Sequence, residues 1–313
     1  MGAAPLSYLT SHGAKADATL PLTTGLAVIS VAVILVVTAL LLAGVIRRRA
    51  PQTAAQIDDR DASAWLYIGV GVSTFFLVVA LVWTVRVLGA INAPVAAPAF
   101  TIEVTGQQWW WKAHYLDADP SREIVTANEL HIPVGKPVRI QLVGADVIHS
   151  FWVPALGGKT DAIPGQLNNT WIEADHAGRF RGQCTEYCGE QHAHMGFDVV
   201  AESDADFEQW RSRQREPAAP AVDATKTGET AFVFRCGACH TVRGTEAGGT
   251  AGPDLTHLMS RASIAADSLP NDAGSLAAWL ANPQAIKPGN HMPTLQLSGA
   301  ELGAIDAYLV TLK

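Results

Sequence analysis

Two long uncharged stretches near the amino end most constrain how this chain can fold. They cover residues 18–46 and 62–85, and both are strongly apolar. A helix needs about 20 mostly apolar residues to cross the hydrocarbon core of a bilayer, so each stretch is long enough. A cleaved signal peptide fits the first stretch poorly, because it starts far from Met1 and lacks the basic region of such a peptide. A buried core helix is the alternative for the second, but its length and its charged flanks at residues 59–61 and 86 favour a membrane helix.

The short loop between the two stretches sets the predicted orientation. It opens with three arginines at residues 47–49, and basic residues near helix ends mark the cytoplasmic side. We therefore predict a transmembrane helical hairpin over residues 21–90, embedded in the lipid of a bacterial plasma (inner) membrane. A tail of residues 1–20, both termini and everything after about Ala90 would lie on the periplasmic, extracytoplasmic side. Aromatic side chains near the helix ends would lie at the interfaces: Trp65, Tyr67 and Trp83.

Charge and cysteine content narrow the function further. A net charge of -7 argues against a nucleic-acid partner, which a basic patch would mark. The chain has four cysteines in two close pairs, each with histidines beside it. Four are too few for a disulfide-stapled scaffold of this size, whereas paired cysteines next to histidines are typical of metal sites. The sequence therefore predicts two such sites.

The segment after the hairpin is patterned as β-structure. Phe100, Ile102 and Val104 alternate with polar residues, and glycines and prolines interrupt several short runs of this kind. Period two is typical of half-buried strands. We predict an antiparallel β-sandwich or barrel over residues 95–205.

The first metal site is predicted on this scaffold. Cys184, Cys188, His192 and Met195 lie within twelve residues, and His149 lies upstream. Thiolate, thioether and imidazole ligands together suit copper. Two thiolates this close can bridge two copper ions and spread one electron over both. A disulfide is the alternative on an oxidising face of the membrane, but it leaves the histidine and methionine at fixed offsets unexplained.

The second metal site lies beyond a polar helix end and a Pro/Ala-rich linker at residues 206–225. Cys236, Cys239 and His240 form a C-x-x-C-H signature, which is typical of covalent c-type haem attachment with the histidine as axial ligand. A redox dithiol is the alternative, but it does not account for the histidine. The sixth iron ligand should be a methionine or a histidine. Three residues are available: Met259, His291 and Met292.

Residues 20–205 resemble subunit II of the haem-copper cytochrome c oxidases. The match to that family's copper A loop includes Cys184, Glu186, Cys188, Gly189, His192 and Met195, and residues 145–154 and 159–165 are also similar to the family. The resemblance implies a dinuclear copper A site on a cupredoxin-like β-barrel. It implies that Glu186 also reaches a Mg²⁺ or Mn²⁺ at the contact with subunit I. The implied copper ligands are His149, Cys184, Cys188, His192, Met195 and the main-chain carbonyl of Glu186.

An aromatic run at residues 105–111 resembles another stretch of the same family. The resemblance implies that Trp109 lies between the incoming haem and the copper, while Trp110 and Trp111 are interpreted as packing residues. Some positions differ from the family, including Gln107, Gln166 and the start of the second helix, which lacks the usual glutamate. That last departure leaves the route of the protons open and does not affect the copper ligands.

The final segment, residues 226–313, resembles an all-α class I cytochrome c. Residues 287–293 are similar to the methionine loop of that family, and residues 252–255 are similar to its G-P-x-L turn. We therefore predict Met292 as the sixth ligand, with His291 as the rival and Met259 in the core. The whole chain resembles subunit II of a caa(3)-type oxidase.

Such a subunit is implied to take an electron from cytochrome c or a cytochrome bc-type complex and to deliver it to haem a of subunit I. There haem a(3) and copper B reduce oxygen to water with proton translocation, and subunit III completes the enzyme. The copper loop alone would also suit a nitrous or nitric oxide reductase, but the hairpin and residues 159–165 favour an oxidase. A copper-storage protein would leave the haem unexplained, and a quinol oxidase subunit would lack the copper ligands.

Overall fold

The computed structural model describes residues 6–48 and 59–313. It shows the predicted architecture: two long apolar helices, a β-sandwich and a helical carboxyl-terminal domain. The chain divides into two compact units. One comprises residues 17–93, and the other comprises residues 1–16 together with 94–313.

The two apolar helices are α1, Ala14–Arg48, and α2, Asp59–Asn92. Each contains a stretch that is long and apolar enough to cross a membrane, and the side chains along these stretches are exposed rather than packed into a protein core. Within this unit the ring of Trp83 lies against Gly25, where an added Cβ would come within 2.6 Å of the ring. The predicted cytoplasmic turn falls largely on residues 49–58, which lie outside the described residues.

The β-domain is a sandwich of two five-stranded sheets. The strands are β1 Thr101–Gln107, β2 Trp110–Leu116, β3 Ile124–Ala127, β4 Glu129–Pro133, β5 Val138–Gly144, β6 His149–Trp152, β7 Thr160–Ala162, β8 Asn168–Ile172, β9 Gly178–Cys184 and β10 Gly196–Glu202. The first sheet has the strand order β3-β2-β1-β5-β8, and the second sheet has the order β4-β10-β9-β6-β7.

Each sheet contains one parallel pair. β1 runs parallel to β5 and β4 runs parallel to β10, whereas the other neighbours are antiparallel. The expected antiparallel sandwich is therefore a mixed one. Period-two alternation shows which face of a strand is buried but carries no information about the direction of its neighbour, so the sequence could not distinguish the two arrangements.

Alternating side chains fill the space between the sheets. Ile102 and Val104 are fully buried, and Phe151 stacks on Phe197 with ring centroids 4.6 Å apart. Gly182 lies directly under the ring of Phe197, where a Cβ would come within 2.2 Å of it. This close approach brings β9 and β10 together at the end of the sandwich that carries the cysteine loop.

The carboxyl-terminal domain is helical. Helix α3, Asp204–Arg215, follows β10, and an extended linker leads to a group of short helices. The remaining elements are α4 Asp223–Cys236, β11 Ser263–Ile264, β12 Leu269–Pro270, α5 Ala273–Ala281, α6 Pro283–Ile286 and α7 Gly299–Leu309. Gly228 of α4 lies against Ala304 of α7, where a Cβ would be 2.0 Å from the Ala304 carbonyl oxygen, so the two helices cross closely.

Residues ahead of α1 belong with the β-domain. The amide of His12 donates to Ala155 O at 2.9 Å, and the amide of Asp175 donates to His12 O at 3.1 Å. These two main-chain bonds hold the segment before the first apolar helix on the surface of the sandwich.

Candidate metal centres

The cysteine cluster lies where three pieces of the sandwich converge. Cys184 ends β9, His149 begins β6, and the loop from Cys184 to Met195 returns the chain to β10. The register pairs Phe151 of β6 with Cys184 of β9. This pairing brings His149 to the cysteine although 35 positions separate the two residues.

The donor atoms of the predicted copper ligands lie together. The sulfur atoms of Cys184 and Cys188 are 3.8 Å apart. Cys184 Sγ lies 3.9 Å from His149 Nδ1, and Cys188 Sγ lies 3.5 Å from His192 Nδ1. Met195 Sδ is 3.9 Å from Cys188 Sγ. Each cysteine sulfur therefore has its own imidazole, an arrangement in which two soft metal ions could share two thiolates.

The two cysteines are free thiols, not a disulfide. Their sulfur atoms are separated by 3.8 Å, whereas a disulfide bond is about 2.05 Å long. Both cysteines, His149 and Met195 are buried. His192 is half-buried. A set of two thiols, two imidazoles and a thioether fits copper better than it fits a hard cation, which prefers oxygen.

Protonation of the two thiols is linked. The hydrogen bond between the two sulfur atoms lowers the pKa of Cys184 and raises the pKa of Cys188, so Cys184 loses its proton more readily. Because metal ligation requires deprotonated cysteines, metal binding would release any proton that the two sulfur atoms still hold.

Asp146 orients the first histidine. Its carboxylate accepts hydrogen bonds from His149 Nε2 at 2.8 Å and from the amide of Gln108 at 2.7 Å. A proton on Nε2 leaves Nδ1 free to face Cys184 as a donor of electrons. Burial alone would lower the pKa of His149, but its bonds to Cys184 and Asp146 outweigh burial and raise it. The sequence analysis did not predict this role for Asp146, although a search for carboxylates near each candidate histidine could have found it.

Glu186 presents two different groups. Its main-chain oxygen lies 3.3 Å from Cys184 Sγ, inside the cluster. Its carboxylate is 44% exposed and lies 3.6 Å from the Nζ of Lys159. His194, the competing histidine, bonds through Nδ1 to the side chain of Gln191 at 2.8 Å instead of joining the sulfur atoms.

A second centre surrounds an apolar cavity of about 330 Å³. The end of α4 and the turn after it bring Cys236, Cys239 and His240 to its wall, and Met292 and His291 also line it. The third methionine, Met259, packs against the domain core, and its amide bonds to Leu312 O at 2.7 Å. The cavity is therefore lined by the predicted haem-attachment residues and by the two rival sixth ligands.

His240 is held ready to act as a ligand. Its Nδ1 bonds to Pro253 O at 2.8 Å, which leaves Nε2 free. Gly252 lies against the ring, where a Cβ would come within 2.5 Å of it. Burial lowers the pKa of His240, so the ring is neutral, as ligation requires. The apolar lining and the paired cysteines fit a covalently attached haem.

Trp109 touches both centres. Its indole Nε1 donates to Cys188 O at 2.9 Å, and its ring lines the cavity with a centroid 6.4 Å from that of His291. Trp110 lines the same cavity, which the sequence did not indicate. Trp111 is a core residue, as predicted, and packs edge-on against Phe197.

Comparison with known proteins identifies two families in the chain. Residues 116–203 match the family described as "Cytochrome C oxidase subunit II, periplasmic domain", and residues 225–313 match "Cytochrome c". The chain is 40% identical over 215 residues to cytochrome c oxidase subunit 2 of Alkalihalophilus pseudofirmus, covering 68% of this chain and 61% of that protein. It is 30% identical over 190 residues to the alternative cytochrome c oxidase subunit 2 of Bradyrhizobium diazoefficiens, covering 52% of this chain and 67% of that protein.

One solved structure is also similar. The periplasmic domain of cytochrome oxidase subunit II from Bradyrhizobium japonicum is 38% identical and has a TM-score of 0.37, covering 39% of this chain and 97% of that one. The chain spans between 61% and 64% of the length of the first curated relatives it matches. The family matches and the two apolar helices lead to one conclusion: the chain belongs to the cytochrome c oxidase subunit II family, in the form that carries a C-terminal cytochrome c domain.

Proposed function

We propose that this chain conducts electrons into a respiratory cytochrome c oxidase. The electrons would pass from a haem c in its last domain to a dinuclear copper A in its β-domain, and from there to haem a of subunit I. Subunit I would reduce oxygen to water and translocate protons. The observation that carries the proposal is the contact of Trp109 with both centres. Its indole is hydrogen-bonded to Cys188, and its ring forms part of the cavity wall.

The chain's own residues would hold the copper in a fixed geometry. His149, Cys184, Cys188, His192 and Met195 supply side-chain donors, and the carbonyl of Glu186 supplies an oxygen. Four of the five side chains are buried, so the site excludes water. The rigid sandwich resists a change of ligand positions when the charge of the site changes, which favours rapid transfer.

The residues around the cavity would hold the haem in a similar way. Cys236 and Cys239 would form the covalent attachments, His240 would be one axial ligand and Met292 the other. Methionine and histidine together raise the potential of the iron. Asn290 supports the placement of Met292, because its side-chain oxygen accepts the Met292 amide proton at 2.8 Å.

Further partners follow from the proposed role. The carboxylate of Glu186 is 44% exposed, and it would bind Mg²⁺ or Mn²⁺ at a contact with subunit I in place of its ion pair with Lys159, since a hard cation prefers oxygen. Subunit III would complete the enzyme. Cytochrome c or a cytochrome bc-type complex would supply electrons to the haem. In this arrangement both outer domains lie on the periplasmic side of the plasma membrane.

The test is to purify the assembled protein from its native membrane and compare it with two variants. The wild type should contain two coppers and one haem per chain, share one unpaired electron between the coppers in its EPR spectrum, and copurify with a haem-a subunit. Cys188→Ser should abolish the shared-electron signal and leave the c-haem spectrum intact. His194→Ala, a histidine outside the sulfur cluster, should leave both signals unchanged. Zinc, a single copper, or loss of both signals in Cys188→Ser would contradict the proposal.

A further inference from the structure

A buried lysine joins the cytochrome domain to the β-domain. The side chain of Lys287 is only 3% exposed. Its Nζ donates to Trp109 O and His194 O, both at 2.7 Å, and to Ala265 O at 3.1 Å. The first two acceptors belong to the sandwich and the third to the lysine's own domain. The lysine thus crosses the boundary between the two domains.

The three acceptors account for a placement that lysine rarely adopts. Lysine is almost never fully buried without a partner, because its charge loses hydration. An ammonium has three N–H groups, and each finds one carbonyl oxygen here. Burial lowers the pKa of Lys287 to about 7. A neutral amine could satisfy only two of the carbonyls, so the geometry is that of the charged form.

Both ends of this contact adjoin the redox residues. On the sandwich side, Trp109 is bonded to Cys188, and His194 lies between His192 and Met195 in the chain. On the cytochrome side, Lys287 begins the loop that carries Met292. Its carbonyl accepts from Asn290 Nδ2 at 2.6 Å, and Asn290 in turn positions the Met292 amide. One side chain therefore fixes the copper loop and the methionine loop relative to each other.

Other polar contacts surround the lysine. Gly196 donates to Ala266 O at 3.1 Å, and Gln191 Nε2 donates to Pro288 O at 2.9 Å. An ion pair joins Arg181 to Asp267. Hydrogen bonds to charged groups contribute more than neutral ones. The bonds of the buried ammonium therefore contribute more than the two neutral hydrogen bonds beside them.

We propose that Lys287 is a positioning residue that fastens the cytochrome domain onto the β-domain and so sets the distance over which the electron passes. The claim that Lys287 holds the two domains together depends only on the contacts described above. The claim that it sets an electron-transfer distance also rests on the proposed function. Without the ammonium, the carbonyls of Trp109 and His194 lose their donor, whereas Ala265 O keeps the hydroxyl of Ser268, and the domains should separate more often about the linker at residues 217–222.

The experiment compares Lys287→Met with wild type in the assembled oxidase. Lys226→Met is the matched control, because Lys226 lies on α4 of the same domain with a 63% exposed side chain. Three measurements are made: the iron–copper distance distribution by pulsed EPR, the rate of haem-to-copper electron transfer after flash reduction, and elastase cleavage at the Ala-rich linker. Elastase does not cut at lysine, so the substitution itself adds or removes no cleavage site.

In Lys287→Met we expect a broader iron–copper distance distribution, faster cleavage at the linker and an electron-transfer rate about tenfold lower than in the wild type. Its haem and copper spectra should stay unchanged. Lys226→Met should match the wild type in all three measurements. Wild-type distances, cleavage and rate in a folded Lys287→Met would overturn the proposal. If that variant does not assemble, Lys287→Gln decides, because it keeps two N–H donors without the charge. Lys287→Gln should give values between those of the wild type and those expected for Lys287→Met, and wild-type values would again overturn the proposal. Absence of copper or haem in the wild type would instead refute the proposed function, and the cleavage assay would still test the fastening.

Discussion

At the scale of single residues, Asp146 would not touch the metal but orients His149, which would. It accepts from His149 Nε2 and from the amides of Gln108 and Val147, and these bonds hold the pKa of its carboxyl below the usual range although burial opposes the shift. A carboxylate held in this way fixes both the ring orientation and the tautomer of the histidine.

We therefore predict that Asp146→Asn weakens copper binding without removing any ligand. An amide carries no charge and can rotate its NH₂ group toward the ring, so Nδ1 would no longer be fixed toward Cys184. Loss of such an orienting group costs about 10- to 100-fold in metal affinity. The measurement is copper retained per chain against increasing chelator.

The control for this change is Asp204→Asn, which removes an exposed aspartate that pairs with Lys136 on the surface. It should retain copper as the wild type does. Equal copper retention in Asp146→Asn and the wild type would show that His149 is oriented by the fold alone.

At the scale of elements, β4 and β10 are joined by a buried charged network. Glu129 and Glu202 both bond to the ring of His131, at 3.1 and 2.6 Å, and Arg179 bonds to Glu129 at 2.6 Å. The ring of His131 also stacks on Trp210 of α3, with centroids 4.2 Å apart. A histidine between two carboxylates links the parallel strand pair to the helix that leads out of the sandwich.

This network predicts a stability maximum between acid and mildly alkaline pH. Burial alone would raise the pKa of Glu129, but His131 and Arg179 outweigh it and hold the value at about 2, below the ordinary 4.5. The stabilisation is present above pH 4.5 and is lost as the pH falls toward 2, a change of about 3 kcal/mol. Burial would lower the pKa of His131, but the two carboxylates raise it above 6.5. Its contribution is present below pH 6.5 and is lost as the pH rises through the raised value.

Thermal unfolding of the full chain, followed across this pH range, checks the prediction. Glu129→Gln should lower stability at neutral pH and flatten the acid side of the profile. Glu123→Gln removes a more exposed partner of His114 and should leave the profile nearly unchanged. An acid limb as steep in Glu129→Gln as in the wild type would place the titrating group elsewhere.

The sequence revealed those features whose residues lie close together in the chain. The cysteine loop and the C-x-x-C-H signature each concentrate their donors within about a dozen positions, so residue type and spacing were sufficient. The contact between Lys287 and Trp109 joins positions 178 apart, and nothing local to either residue indicates it. Asp146 stood inside a segment similar to the family, yet its bond to His149 depends on the turn between β5 and β6. Trp110 lines the cavity only because the two domains are packed together.

At the scale of the whole molecule, the proposed role requires the copper and haem domains to lie on the same side of the membrane. The contacts between them meet that condition within their own compact unit. The two apolar helices end in different charge environments: three arginines lie at the end of the first, at residues 47–49, whereas the chain is uncharged from Leu88, near the end of the second, to Thr101. Basic residues at the end of a helix favour the cytoplasmic side.

We therefore predict that a reporter enzyme active only in the periplasm is active when fused after Lys313 and inactive when inserted between residues 50 and 58. The orientation follows from the arginines, since a charge at the bilayer centre costs several kcal/mol and the cytoplasmic side retains basic loops. Replacing the three arginines at residues 47–49 by glutamine should lower the activity of the reporter fused after Lys313 and raise the activity of the reporter inserted in the loop. The control Arg86→Gln, near the end of the second helix, should leave both activities unchanged. High activity of the loop insertion in the unchanged chain would place Lys313 and the domain that it ends in the cytoplasm, which contradicts the predicted orientation.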